Sequence, residues 1–208
     1  MDGRETGTLK APSSRAPGGL ALVQDLVNTA TRPAEAPSPL GDALATEDSA
    51  NQWLSAALSA WADATGQPAP ALNLGESDLQ PLRRLREAVR ALAEQQPGAE
   101  HDEGRPRPAP PGATSVALHF GDDGRVHYGT AATGWRGVAS LVATEILLAQ
   151  RTGTWERFKA CPYEGCGVTF FDHTRNNNRV WHDVRICGNR TNLVASRQRK
   201  RDRESSAV

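Results

Sequence analysis

The apolar positions of this chain come in blocks, separated by stretches too polar and too rich in proline to build a core. Residues 1–18 carry Gly, Pro and Ser without periodicity and read as a disordered lead-in. From Gly19 the pattern changes. Leu20, Leu22, Val23, Leu26 and Val27 recur at helical spacing and predict an amphipathic helix ending near Asn28 and Thr29. Pro33, Pro37, Pro39 and Gly41 make the next segment a loop. A second helix follows, capped by Thr46 or by Ser49, with Glu47 and Asp48 in its first turn. Trp53, Leu54, Ala57, Leu58 and Trp61 form its apolar face, and Gly66 and Pro68 stop it.

A third helix is predicted from Ser77, as its cap, to Gln95. Leu79, Leu82, Leu85, Val89 and Leu92 line one side, and Arg83, Arg84, Arg86, Glu87 and Arg90 read as a solvated opposite face. Residues 97–113 hold no core-forming side chains and read as a flexible insert. Within it, His101, Asp102 and Glu103 read as solvated loop rather than as a metal site. Val116, Leu118 and Phe120, then Gly121-Asp122-Asp123-Gly124, then Val126 and Tyr128 predict a β-hairpin. His119 and His127 fall out of phase with the apolar residues and are expected to face away from the core. A last apolar helix spans Trp135 to Thr152, with Val138, Leu141, Val142, Ile146, Leu147 and Leu148. Glu145 lies among them, either bonded to a partner or at the helix edge. A lone carboxylate makes no active site.

The net charge of zero hides an asymmetry. Residues 1–150 hold 12 Lys+Arg against 18 Asp+Glu, or −6, whereas residues 151–208 hold 12 against 6, or +6. That separation points to a polyanionic partner at the C-terminal end. Without an apolar run long enough to cross a bilayer, or a signal peptide, a cytoplasmic protein is expected. The chain shows no nucleophile–base pair in a motif, no phosphate-cradling glycine loop and no open metal site, so an enzyme is not expected.

The basic end also holds every cysteine, all within 27 residues of the 208-residue chain. Cys161, Cys166, His182 and Cys187 follow the pattern Cys-x4-Cys-x15-His-x4-Cys. Those are four ligands of the kind and number that one tetrahedral zinc ion takes, and such a closed set is structural rather than catalytic. Gly165 and Gly167 let the backbone turn around the ion. His173 is the alternative fourth ligand. The plainer reading is a packed cluster of small buried thiols.

The words around these ligands carry a resemblance. Cys-x4-Cys, Phe171-Asp172, Arg175-Asn176-Asn177-Asn178-Arg179, Trp181 and Cys187-Gly188-Asn189-Arg190 resemble the CGNR zinc finger. That family typically has a cysteine where this chain has His182, one zinc ligand for another. The stretch from Leu20 to Thr29 resembles the opening of the ABATE domain, which precedes this finger in many bacterial proteins. The Trp53-Leu54 helix, the Leu82-Arg83-Arg84-Leu85-Arg86 helix, the hairpin and the helix before the finger follow the same order. The resemblance covers roughly residues 19–200 and implies a family regarded as stress-induced transcriptional regulators, with the finger as its DNA-binding module.

The residues themselves support nucleic acid. Trp155, Phe158, Phe170, Phe171 and Trp181 give the finger a small core that zinc must supplement. A helix capped by Asn189 or Thr191 would then carry Arg190, Arg197, Arg199, Lys200, Arg201 and Arg203, joined on the same face by Arg175 and Arg179 from the inter-ligand loop. The bland alternatives are a solvated basic tail, an Arg190 that packs on the zinc loop, and an Asp172 that pins an arginine or a backbone N–H.

The expectation is an α+β protein. A disordered lead-in (1–18) leads to a mainly helical ABATE-like domain with a hairpin (19–152, insert 97–113), a zinc finger with basic helix (153–203) and a tail (204–208). It would hold one structural zinc ion and bind double-stranded DNA as a transcriptional regulator. A homodimer is expected because one short finger reads few base pairs. The alternative is a zinc-stabilised protein-interaction module. No effector can be named for the helical domain.

Overall fold

A computed structural model describes residues 15–30, 41–94, 112–163 and 166–205. Most of the lead-in, most of the 97–113 insert and the last residues of the tail lie outside them.

The first helix, α1 (Leu20–Val27), is short and sits at the centre. It is not amphipathic in place. Leu20 through Gln24, Leu26 and Val27 are all buried, because α1 is packed on several sides by α2 (Glu47–Thr65), α3 (Glu76–Glu94), α4 (Gly134–Arg151) and a strand of the finger. Helix α2 begins on a capping box. Thr46 Oγ1 accepts from the Ser49 N–H, and Ser49 Oγ accepts from the Thr46 N–H, each at 3.2 Å, so both residues share the capping. The left-handed Gly66 (φ 69°) ends it. Helix α3 starts at Glu76, one residue before the expected cap. The Asp78 carboxylate accepts from the Gly75 N–H at 2.9 Å, leaving Ser77 inside the first turn.

The helices share one core that includes Leu22, Leu26, Leu54, Trp61, Leu79, Leu82, Leu141 and Val142. Glu145 is buried in it, 4% exposed. Its Oε1 accepts from Trp61 Nε1 at 2.7 Å and from the Tyr128 hydroxyl at 2.6 Å, so the buried carboxylate is bonded to partners and not at an edge. Burial and the neighbouring Glu145 push the Tyr128 hydroxyl well above its ordinary pKa. Gly19 packs directly on this carboxylate, where a Cβ would collide with it.

The hairpin pairs β1 (Ala117–Phe120) with β2 (Val126–Gly129), antiparallel, with Leu118 opposite Tyr128 and Phe120 opposite Val126. Its alternation is as expected but its orientation is not. Leu118, Phe120 and Val126 are exposed, Phe120 to 88%. Only Tyr128 reaches the core, edge-on to Trp61. His119 is exposed, but His127 is half-buried, with Nε2 at 3.2 Å from Asp123. The hairpin stands off the helices, so period-2 alternation there does not report which face is covered.

Among the described residues no helix is long and apolar enough to cross a membrane. Between α3 and α4 an apolar groove of about 200 Å³ is lined by Leu85, Val89, Leu92, Val142, Ile146 and Leu147, among others.

Candidate metal centre

The second hairpin carries the finger. A short 3-10 turn (Trp155–Arg157) leads into β3 (Phe158–Ala160), which pairs antiparallel with β4 (Thr169–Phe171), Phe158 facing Phe171. The hairpin does not form an independent small core. Phe158 and Phe171 are buried in the helical core and Trp155 packs against it, leaving Phe170, Tyr163, Val168 and Trp181 around the cysteines. Polar bonds tie the two parts further. Gln24 Nε2 and Asn28 Nδ2 both donate to the Thr169 carbonyl, at 3.1 and 3.0 Å, and Asn28 Oδ1 accepts from the Thr169 N–H at 2.9 Å.

The β3–β4 connection makes the first half of the metal site. The Cys161 N–H donates to Val168 O at 2.9 Å and the Cys166 N–H to Tyr163 O at 2.8 Å, turning the backbone so that both sulfurs face inward. Gly167 takes φ 62°, which favours glycine at the exit. The second half is a π-helical turn (Val184–Gly188) running straight into α5 (Asn189–Ser205). Asp183 caps the turn, accepting from the N–H groups of Arg185 and Ile186 at 2.7 and 3.3 Å. Neither Asn189 nor Thr191 caps α5. Asn189 is already helical, and the Thr191 hydroxyl donates back to Cys187 O at 3.0 Å. A Cβ on Gly188 would come within 3.1 Å of the Trp181 ring, so glycine lets the turn lie against it.

These elements bring Cys161, Cys166, His182 and Cys187 together, with all four ligand atoms within 4.8 Å of one another. His182 Nδ1 lies 3.2 Å from Cys166 Sγ and 3.5 Å from Cys187 Sγ. Bond lengths of about 2.3 Å to sulfur and 2.0 Å to nitrogen put tetrahedral ligands roughly 3.5–3.8 Å apart. The cysteines are free thiols and buried. The donor set, its spacing and its burial fit one structural metal ion, and zinc takes this Cys3His set. The fourth position belongs to His182. His173 is exposed, with its ring Nε2 at 2.9 Å from the Arg15 carbonyl.

A hydrogen bond between Cys161 and Cys166 lowers the Cys161 pKa and raises that of Cys166. Burial and the nearby Cys161 raise that of Cys187 to about 11. A dication among them reverses this balance and favours all three thiolates.

Asp172, fully buried, organises the loop between the ligand pairs. Its Oδ2 accepts from Lys159 Nζ at 2.8 Å and from the Arg179 N–H at 2.7 Å, and its Oδ1 accepts from the Thr174 N–H and hydroxyl. It pins backbone N–H groups as expected, with a lysine as its cation instead of an arginine. Asn177 takes φ 50°, a left-handed conformation that asparagine tolerates.

The basic candidates divide. Arg179 turns inward. Its Nε donates to Trp181 O at 2.9 Å, its Nη2 to His182 O, and its guanidinium lies over the Phe170 ring. It therefore holds the segment that presents His182. Arg175, Arg190, Arg197 and Arg199 are exposed. Lys200, Arg201 and Arg203 lie further along α5.

Sequence reasoning missed the inward-facing cations. Arg90, on α3, is 1% exposed and donates to Gly167 O in the metal knuckle and to Val27 O and Ala30 O at 2.8 Å. Arg157 holds the carbonyls of Asp172 and Thr174 at 3.1 and 2.7 Å. An arginine on a nominally solvated helix face carries no sequence signal that another segment will cover it.

Comparison with known families agrees with this geometry. Residues 157–200 match the CGNR zinc finger. Residues 20–149 match the ABATE family, described as "Putative stress-induced transcription regulator". No curated protein matches the chain. The ABATE match spans more than half of the sequence and the finger match contains all four ligands, so the chain belongs to the ABATE family and carries a CGNR zinc finger after its helical domain.

Proposed function

We propose that the protein is a DNA-binding transcriptional regulator in which structural zinc orders α5 for contact with duplex DNA. The observation that carries this is the placement of α5. Its root is fixed by Cys187 in the metal cluster, its packing partner is the π turn before it, and it carries Arg190, Arg197 and Arg199 in solvent. Arginine forks suit phosphate oxygens and guanine edges. Lys200, Arg201 and Arg203 on the same helix, and Arg175 on the loop, complete the candidate surface. The ABATE description, "Putative stress-induced transcription regulator", supports this reading.

The test is zinc content and duplex binding on one sample, as wild type and as His182→Ala, across a salt titration. One zinc per chain is expected, weakened in the variant, with binding that disappears on chelation. With four to six phosphate contacts the log–log salt slope would be roughly −4 to −5. A zinc-loaded protein that ignores DNA at low salt would overturn the proposal. A protein-interaction role would then stand, and the exposed Leu118, Phe120 and Val126 of the first hairpin are the surface that favours it.

A further inference from the structure

Helix α5 is among the most polar segments of the chain, yet its first turns expose large aliphatic side chains. Leu193 is 57% and Val194 63% exposed, and Ile186, in the π turn below them, is 50% exposed. Residues 190, 193, 194 and 197 are spaced i, i+3, i+4 and i+7 and share one face of a helix. Arg190 and Arg197 therefore bracket an apolar pair, and Ile186 extends the stripe downward. Thr191, half-buried and bonded to Cys187 O, marks the side on which α5 joins the π turn; the other described side chains of its first turns are exposed.

Two candidate occupants fit this stripe poorly. A second copy of the same helix would bring Arg190 and Arg197 of each chain against one another. A lipid surface needs a long continuous apolar face, and this one is the short stripe of Ile186, Leu193 and Val194 interrupted by arginines. Duplex DNA offers both chemistries at once. Its phosphates suit the arginines. In the major groove, which admits an α-helix, thymine presents a C5-methyl group to apolar side chains.

We propose that Leu193 and Val194 are specificity-determining residues that contact thymine C5-methyl groups in the major groove, with Arg190 and Arg197 holding flanking phosphates. This rests on the DNA-binding function above and assigns Arg190 and Arg197 to phosphates rather than to guanine edges. Phosphate contacts fix register but carry no sequence information, so the apolar pair supplies the discrimination.

The experiment uses the full zinc-loaded chain. The tightest duplex is selected from a random pool and then resynthesised with uracil in place of every thymine. That change removes the C5-methyl groups and keeps charge and base pairing. Wild-type affinity is expected to fall roughly tenfold for two methyl contacts. The Leu193→Ser/Val194→Ser double variant should bind both duplexes equally with an unchanged salt slope. Arg197→Ala should bind both more weakly but keep the thymine-to-uracil ratio. Zinc content and thermal unfolding, unchanged in these exposed-site variants, serve as the folding control. Equal wild-type affinity for both duplexes overturns the inference, as does a selected site without thymine. A double variant that instead converts a dimer to a monomer in sedimentation, with no uracil effect in wild type, assigns the pair to a second copy. Absence of any duplex binding removes the DNA function itself, a result distinguishable from loss of discrimination alone.

Discussion

Helices α3 and α5 carry arginines at the same helical spacing, and their surroundings make those arginines into different things. Arg83 and Arg90 on α3 repeat the i, i+7 spacing of Arg190 and Arg197 on α5, with Arg86 at the position that Leu193 holds on α5. Arg190, Arg197 and Arg199 on α5 stand in solvent. On α3, Arg86 and Arg90 are 7% and 1% exposed. Arg83 donates to Leu44 O and Ala45 O, Arg86 to Asp42 Oδ1 at 2.7 Å and Thr29 Oγ1 at 3.2 Å, and Arg90 to Val27 O and Ala30 O. Those acceptors cluster at the C-terminal end of α1 and in the loops beside it. A helix end leaves carbonyls unpaired and is favourable to cations. A short, largely buried helix turns few of those carbonyls to water, so α3 supplies guanidinium donors. Arg83, Arg86 and Arg90 on α3 satisfy acceptors of other segments; among the described residues of α5, Arg190, Arg197 and Arg199 face solvent instead.

The strongest way to break that contrast is Arg90→Met, which keeps most of the volume and removes every donor. It leaves the carbonyls of Val27, Ala30 and Gly167 without this partner. We expect a loss of about 3 kcal/mol or more in chemical denaturation. Gly167 follows the ligand Cys166, so chelator competition should also show weaker zinc binding. Unchanged stability and zinc affinity would mean that the α3 arginines are as dispensable as a solvated face.

A second test moves to the buried ion pair of the finger, Lys159–Asp172 at 2.8 Å. Burial alone would raise the Asp172 pKa, but the bonds from Lys159, Thr174 and Arg179 outweigh it and hold the carboxyl well below the usual carboxylate range. With the folded pKa depressed, the stabilisation is complete above the unfolded value of about 3.9 and is lost as pH falls toward the folded one. Asp172→Asn should cost about 2 kcal/mol at neutral pH, and the gap from wild type should narrow below about pH 4. Acid also releases zinc by protonating its ligands, so the wild-type-minus-variant difference is the quantity to follow. A gap that does not change with pH would remove the ion pair from the account.

The legible parts of this molecule were those set by local chemistry. The Thr46/Ser49 cap, the Gly66 stop and the four-ligand spacing each depend on a few neighbouring residues, and each is found where the sequence places it. The α3 arginines, the outward face of the first hairpin and the shared core of Phe158 and Phe171 depend on which distant segment arrives. Hydrophobic periodicity identifies the apolar side of an element, not whether the polar side meets water. For Arg90 the answer rests on segments 60 and 77 residues away in sequence. The fourth ligand lay between these cases. Two histidines were available, and the choice of His182 required Asp183 to start the π turn and Arg179 to hold the His182 carbonyl.

The smallest expected effect is also the sharpest test of the contrast. Arg197→Ala and Arg84→Ala each remove one exposed arginine, one from each helix. Both should leave unfolding within about 0.5 kcal/mol of wild type, because neither side chain fills a buried site. They should separate in a DNA titration. If α5 is the interface, Arg197→Ala makes the log–log salt slope shallower by about 1, and Arg84→Ala leaves it unchanged. Equal slopes for the two variants would show that any surface charge serves, and α5 would lose its claim to be a dedicated surface. A shift confined to Arg197 would mean that the position of the charge, fixed by Cys187 at the root of the helix, matters more than the number of charges.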